Sequence, residues 1–186
     1  MAKIILGFTG QLACGKGTVA SYMTGKYDAS NYRFSTVLRD VLQRLYIPHN
    51  RANMQDLSTI LRQRFGEDLL AKVMAEDVRN DQHNVIAVEG IRRMADIVHL
   101  RTIPEFKLIA IEADEKIRYQ RLISRGENPD DASKTWEEFL HDHLAETELS
   151  IPEVMATADF KINNNGSVEE LQRQIDEIIT QLQHGS

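Results

Sequence analysis

The order of apolar and polar positions along the chain predicts its architecture. Lys3–Thr9 (KIILGFT), Val85–Glu89 (VIAVE) and Leu108–Glu112 (LIAIE) are short apolar runs, partly β-branched. Such runs are expected of parallel strands buried on both faces. Tyr32–Ser35 and Asp159–Asn163 (DFKIN) are weaker strand candidates. Between the runs the period changes. Val37, Leu38, Val41, Leu42 and Leu45 fall on one helical face, and Val168, Leu171, Ile175, Ile178, Ile179 and Leu182 repeat at helical spacing. Ser167 and Glu170 are spaced as a capping box for that last helix. Strand alternating with helix predicts an α/β fold, a doubly wound parallel sheet of five strands with helices on both faces, in three αβα layers. The core is expected at 1–34, 81–125 and 149–183. A mostly helical insert covers 35–80, and a second insert, a lid, covers 126–148.

Composition narrows the class. The chain has 186 residues, 42% hydrophobic and 27% charged, which is ordinary for one globular domain with a real core. No apolar run approaches the ~20 residues of a membrane span. The run Ile4–Phe8 is too short for a secretory leader and leads straight into a glycine loop. The single cysteine, Cys14, excludes an internal disulfide framework, so a cytoplasmic protein is expected. The net charge is −6 and there is no basic stripe, which argues against nucleic acid or a membrane surface as partner. The acid excess is concentrated between Gly126 and Glu148, where eight acids face one base, Lys134. A solvated helix face accounts for that run.

The candidate chemistry lies after the first strand, in Gly10-Gln11-Leu12-Ala13-Cys14-Gly15-Lys16-Gly17-Thr18. Glycines let backbone amides turn inward and form a nest for an anion. A helix opening near Lys16 adds free N–H groups and its dipole, and Lys16 adds a full charge for the β- and γ-phosphates of a nucleotide. Gly17 stands between Lys16 and Thr18, so the loop follows the Gly-Lys-Gly-Thr variant of the P-loop. Cys14 and Ala13 read as spacers within it. The fold expected is therefore that of a P-loop NTPase, with ATP and Mg²⁺ as cofactors. Glu89, at the end of an apolar strand, is placed to orient the metal, through water. The alternative is an acid that holds Arg92 or Arg93. Trp136 and Phe139 are expected to pack within the lid. Arg118, Arg121 and Arg125 share one face of a predicted helix, where guanidinium groups can clamp phosphate oxygens.

Together these features resemble the nucleoside monophosphate kinase superfamily, over nearly the whole chain. Arg33-Phe34-Ser35-Thr36-Val37-Leu38-Arg39 resembles the segment after strand two in adenylate kinases and deoxynucleoside monophosphate kinases, which implies Arg39 at the acceptor phosphate. Glu89-Gly90-Ile91-Arg92-Arg93 resembles their Asp-Gly-Phe-Pro-Arg stretch, which implies Arg93 as a second acceptor arginine. The segment 114–125 resembles the helix leading into their lid, which implies phosphate contacts for Arg121 and Arg125. Asp159–Ser167 is similar to dephospho-coenzyme A kinases and related archaeal-type P-loop kinases, which implies Asn164 beside the nucleotide base.

The acceptor follows from a missing group. An alcohol acceptor profits from a carboxylate base. After strand two this chain has Ser35-Thr36 and no acid until Asp40. A monophosphate is already an anion and needs arginines, so a nucleoside or deoxynucleoside monophosphate is the expected acceptor. Dephospho-coenzyme A is the alternative. The lid departs from adenylate kinases: from Gly126 to Gln172 there is no arginine. A nucleotide-gated switch, in which the acidic segment engages a protein, is the rival reading of a different class. A monomer or homodimer is expected.

Overall fold

The computed structural model describes residues 3–125, 131–142 and 149–184, with the side chains of Arg51 and Arg125 excepted. Five strands, β1 (Ile4–Thr9), β2 (Ser30–Arg33), β3 (Val85–Ile91), β4 (Phe106–Glu112) and β5 (Phe160–Asn163), form one sheet in the order β2-β3-β1-β4-β5, with every pair parallel. The strand alternation sends Ile4, Leu6 and Phe8 to one face and Ile5 to the other. On the first face they meet α1 (Lys16–Tyr27) and α9 (Val168–His184) through Val19, Met23, Leu171 and Ile175. On the second they meet α2 (Phe34–Arg44), α4 (Leu69–Asn80), α5 (Met94–Ile97) and α8 (Ile151–Ala156) through Phe34, Leu38, Met74, Ile97 and Val154. The result is the three-layer αβα sandwich that the hydrophobic pattern predicts.

The central strands match the apolar runs. The edge strand differs: β2 covers Ser30–Arg33, and Phe34 and Ser35 already belong to α2. The chain passes from strand to helix without a loop, because Arg33 keeps an extended backbone as the residue before the helix. β3 also runs past Glu89 to Ile91. Its pairing with β1 jumps from Gly7↔Val88 to Thr9↔Ile91, so Glu89 and Gly90 together oppose Phe8. This is a β-bulge, and Gly90 supplies the positive φ of 84° that it requires. Leu45 lies beyond α2 and is exposed, unlike Leu38 and Leu42.

The segment 35–80 is helical as expected, with α3 (Arg51–Phe65) between α2 and α4. Asn50 caps α3 by accepting from the Asn53 N–H at 2.9 Å. The capping box at α9 forms as read: Ser167 N–H donates to Glu170 Oε2 and Glu170 N–H to Ser167 Oγ. After β4 comes α6 (Glu115–Arg125), then a short 3-10 turn (Asp131–Ser133) and α7 (Trp136–Asp142). Tyr119 of α6, Trp136 and Phe139 pack ring against ring, with centroids 5.3–5.5 Å apart, which holds α7 on α6. The glycine and proline of the acidic segment, Gly126 and Pro129, lie outside the described residues. Among the described residues no helix is long and apolar enough to cross a membrane.

Candidate functional site

The loop from Gly10 to Lys16 carries a series of left-handed residues that turns its amides inward. Gly10, Ala13 and Gly15 have φ of 151°, 59° and 109°. α1 opens at Lys16, and its first N–H groups have no partner within the helix. Together these amides form a concave anion nest at a positive helix end. Lys16 Nζ donates to the Gly10 carbonyl at 2.6 Å and the Gln11 carbonyl at 3.0 Å, which holds the ammonium over the same concavity. Thr18 is exposed on the first turn of α1, after Gly17.

Buried struts support the loop. Asn164, 4% exposed, donates from Nδ2 to the Cys14 carbonyl at 2.8 Å. Its amide stands so close to Gly15 that any Cβ there would overlap Nδ2. Gly10 is equally confined: a Cβ would lie 2.5 Å from the Ile111 carbonyl oxygen and 2.6 Å from Cys14 Sγ. Cys14 is buried in the core cluster beneath the loop, a packing residue. Arg121 donates from Nη1 to the Asn164 carbonyl at 2.8 Å and so binds α6 to the turn after β5. Arg118 is 2% exposed, lies over the Phe139 ring, and donates to the carbonyls of Ala113 and Leu12. Of the three arginines read on one helix face, Arg118 is thus committed to the protein, and the Arg125 side chain lies outside the described residues.

The bulge in β3 aims Glu89 across the loop. Its side chain is 8% exposed, and its Oε1 accepts from Asn31 Nδ2 at 2.8 Å and Arg33 Nε at 3.0 Å. Neither Arg92 nor Arg93 holds it. The other oxygen, Oε2, accepts no hydrogen bond among the described residues, and it faces Gly17, 4.0 Å from where a Cβ would stand. Arg33 Nη2 is at the same distance from that point. Arg33 therefore brings a guanidinium to the first turn of α1. The sequence points to Arg39 instead, because the pairing of Arg33 with Glu89 is set by the β2–β3 register and by no local motif. Arg39 itself is exposed on α2 and has no side-chain hydrogen bond or ion pair among the described residues.

Arg93 lies at the start of α5. Asp96 accepts both the Arg92 and Arg93 backbone N–H groups at 3.0 Å, and Arg93 Nη2 at 3.2 Å. Arg93 Nη1 faces Glu67 at 3.8 Å. Thus the β1–α1 loop, the β2 end and the β3 end meet along the C-terminal edge of the sheet, where ligands of open α/β folds bind. Among the described residues no group of three acids, histidines or cysteines is arranged to hold a metal on its own.

The comparisons with known proteins agree with this geometry. A family model described as an AAA domain matches residues 9–139. A UPF0200 protein of Pyrococcus abyssi is 30% identical over 184 residues, covering 96% of this chain and 97% of the relative. Among solved structures, the TT1252 protein of Thermus thermophilus superposes with a TM-score of 0.62 at 15% identity, over 98% of this chain and 99% of the other. A shikimate kinase of Aquifex aeolicus superposes with a TM-score of 0.56 at 16% identity, over 98% and 100%. These structural likenesses concern the fold. The chain belongs to the AAA domain family and, with its relative from Pyrococcus abyssi, to the UPF0200 proteins.

Proposed function

We propose that the protein transfers the γ-phosphate of ATP to a small anionic acceptor, a nucleoside or deoxynucleoside monophosphate. The observation that carries this reading is the facing of two charge systems across one sheet edge. The nest of Gly10–Thr18 with Lys16 lies on one side, and Glu89 with Arg33 is aimed at Gly17 from the other. Loop amides and Lys16 bind the β- and γ-phosphates. Arg121 stands beside the nucleotide and neutralises charge that spreads over the equatorial oxygens in transfer, with Arg125 as its companion. Asn164 fixes the floor of the loop and the turn beside the base. Arg39 and Arg93 hold the acceptor phosphate.

Mg²⁺ supplies charge neutralisation between the phosphates when bound. The residues present fit a metal that arrives on the nucleotide: Mg²⁺ in such sites uses one or two carboxylates and takes its other ligands from phosphate and water. Glu89 offers one oxygen, Oε2, while Oε1 is occupied by Asn31 and Arg33.

The switch reading draws on one feature, the absence of arginine from Gly126 to Gln172. One experiment separates the readings. ATP consumption is measured with a panel of ribo- and deoxyribonucleoside monophosphates, dephospho-coenzyme A and shikimate, with Lys16→Ala as control. The proposal expects consumption that requires a monophosphate and that Lys16→Ala abolishes. Consumption with dephospho-coenzyme A or shikimate alone, or equal slow hydrolysis with every compound, overturns it.

A further inference from the structure

α3 turns Met54, Leu57 and Leu61 toward the core on the acceptor side of the sheet. Arg62 follows Leu61 on that inward side. Its Nε is the buried side-chain nitrogen that finds no hydrogen-bond partner among the described residues. A buried donor without an acceptor is costly, and native proteins normally satisfy such groups. Burial, then the charge of Arg93, lowers the Arg62 pKa, and the nearby Asp96 and Glu67 only partly offset this. Glu67, which follows the end of α3 and its cap Gly66, reaches Arg93 Nη1 at 3.8 Å, so the end of α3 that carries Arg62 lies beside Arg93. Their acidic neighbours do not close the corner. Asp96 is engaged by two backbone N–H groups and one arm of Arg93. Glu67 is 71% exposed and sits at 3.8 Å, looser than a hydrogen-bonded pair. A like-charged arginine pair with one donor unanswered is an arrangement completed by a ligand oxygen.

We propose that Arg62 and Arg93 form an anion site at the corner of α3 and α5, which takes a phosphate or carboxylate group of the acceptor and displaces Glu67 from Arg93. Arg62 Nε donates one hydrogen bond to the anion, and Arg93 Nη1 the other. As an acceptor site it rests on the phosphotransfer reading, but the binding of an anion there is testable without it.

The test uses protein labelled with ¹⁵N-arginine, saturated with Mg²⁺ and a non-hydrolysable ATP analogue so that the loop at Lys16 is filled. Arg62→Lys and Arg93→Lys identify the two Nε–H signals by their loss. Inorganic phosphate and, separately, acetate are titrated against chloride at equal ionic strength. The expected result is a saturable shift of both signals, with slowed proton exchange at Arg62. Response to phosphate alone marks a phosphomonoester site; response to acetate alone marks a carboxylate site. Arg62→Met weakens the Arg93 response at least tenfold. An Arg62 signal that neither anion moves in the folded wild-type protein overturns the proposal, as does an Arg93 titration unchanged in Arg62→Met. If the signals respond while ATP is consumed with no acceptor, the anion site stands and the phosphotransfer reading fails. If a monophosphate is phosphorylated while Arg62 stays silent, the reverse holds.

Discussion

At Gly15 two constraints meet. The residue has φ of 109°, and a Cβ would overlap the Asn164 amide. The first constraint belongs to the backbone and costs of order 1–3 kcal/mol for a non-glycine residue. The second belongs to one side chain. Gly15→Ala is therefore expected to lower the melting temperature and to weaken ATP binding. Adding Asn164→Ala removes the overlap and restores part of the stability, while ATP binding stays impaired because the loop keeps its strain and loses its strut. Thermal melts and ATP titrations on the single and double variants check this; a double variant less stable than Gly15→Ala alone contradicts it. Arg39 and Arg93 make a second contrast. Arg39 is exposed and without a side-chain ion pair among the described residues, whereas Arg93 is tied to Asp96. Arg39→Ala should leave the melting temperature unchanged and raise the acceptor KM or lower kcat. Arg93→Ala should do the same and also destabilise by ~1–3 kcal/mol, because Asp96 loses a charged partner. Equal loss of ATP affinity in both variants would move them to the donor side. At this scale the sequence was informative where one loop carries the chemistry, as in Gly10–Thr18. It was silent where chemistry is assembled from distant segments. Arg33 meets Glu89 only when the edge strand pairs with β3, and Glu67, which follows α3, reaches Arg93 only in the folded chain.

The elements were legible in proportion to their burial. β1, β3 and β4 are covered on both faces, so their apolar runs announced them. β2 is an edge strand of sequence Ser-Asn-Tyr-Arg, and its hydrophobicity marks almost nothing. It is held instead by polar contacts. Tyr32 OH donates to Asp81 Oδ2 at 2.6 Å, which fastens the edge strand to the turn before β3. Burial alone would push the Asp81 pKa up. The hydrogen bonds from Tyr32, the His83 backbone N–H, Ser30 and the His83 ring outweigh it, and the carboxyl is held well below the usual range. The Tyr32 phenol moves the other way, raised by burial and then by Asp81. A carboxyl with a depressed folded pKa stabilises above its unfolded value, near ~3.9, and that contribution is lost as pH falls through the folded value. Asp77 acts in the opposite sense, since burial and then Asp40 raise its pKa. Asp81→Asn should thus flatten the acid side of the stability curve relative to wild type. Tyr32→Phe should cost about 1 kcal/mol at neutral pH and less in acid. Urea melts of the three proteins from about pH 7 to about pH 3 measure this. A Tyr32→Phe penalty that grows as pH falls contradicts the assignment. The same tie has a consequence for the site, because the strand that Tyr32 anchors carries Arg33 to Glu89.

For the whole molecule, the hydrophobic pattern predicted the sheet, and the spacing of Val37, Leu38, Val41 and Leu42 predicted the helix α2. The acidic segment was less legible. Its described part does not stand away from the body: Phe139 is fully buried, stacked on Trp136 and covered by Arg118. Arg118 in turn reaches the Leu12 carbonyl in the nucleotide loop at 3.3 Å. One buried guanidinium therefore links α7, α6 and the P-loop. Nucleotide bound in the nest would stiffen that loop, and the linkage passes the restraint to residues 131–142. If the insert carrying Arg39 and Arg62 holds the acceptor, as proposed, it should respond to that second ligand instead. Donor alone should slow amide exchange in the loop, α6 and 131–142, while exchange in α2 and α3 stays near that of the free protein. Donor analogue and monophosphate together should slow α2 and α3 as well, as closure about a filled site requires. Arg118→Lys is the discriminating variant. It keeps the charge but not the two-sided reach of the guanidinium, so donor binding should protect the loop and no longer protect 131–142. Hydrogen exchange read by mass spectrometry in the four states gives the answer. Protection of 131–142 by donor that survives in Arg118→Lys would show that the segment senses the nucleotide by another route, and protection of α2 and α3 by donor alone would remove the division of the molecule into a donor side and an acceptor side.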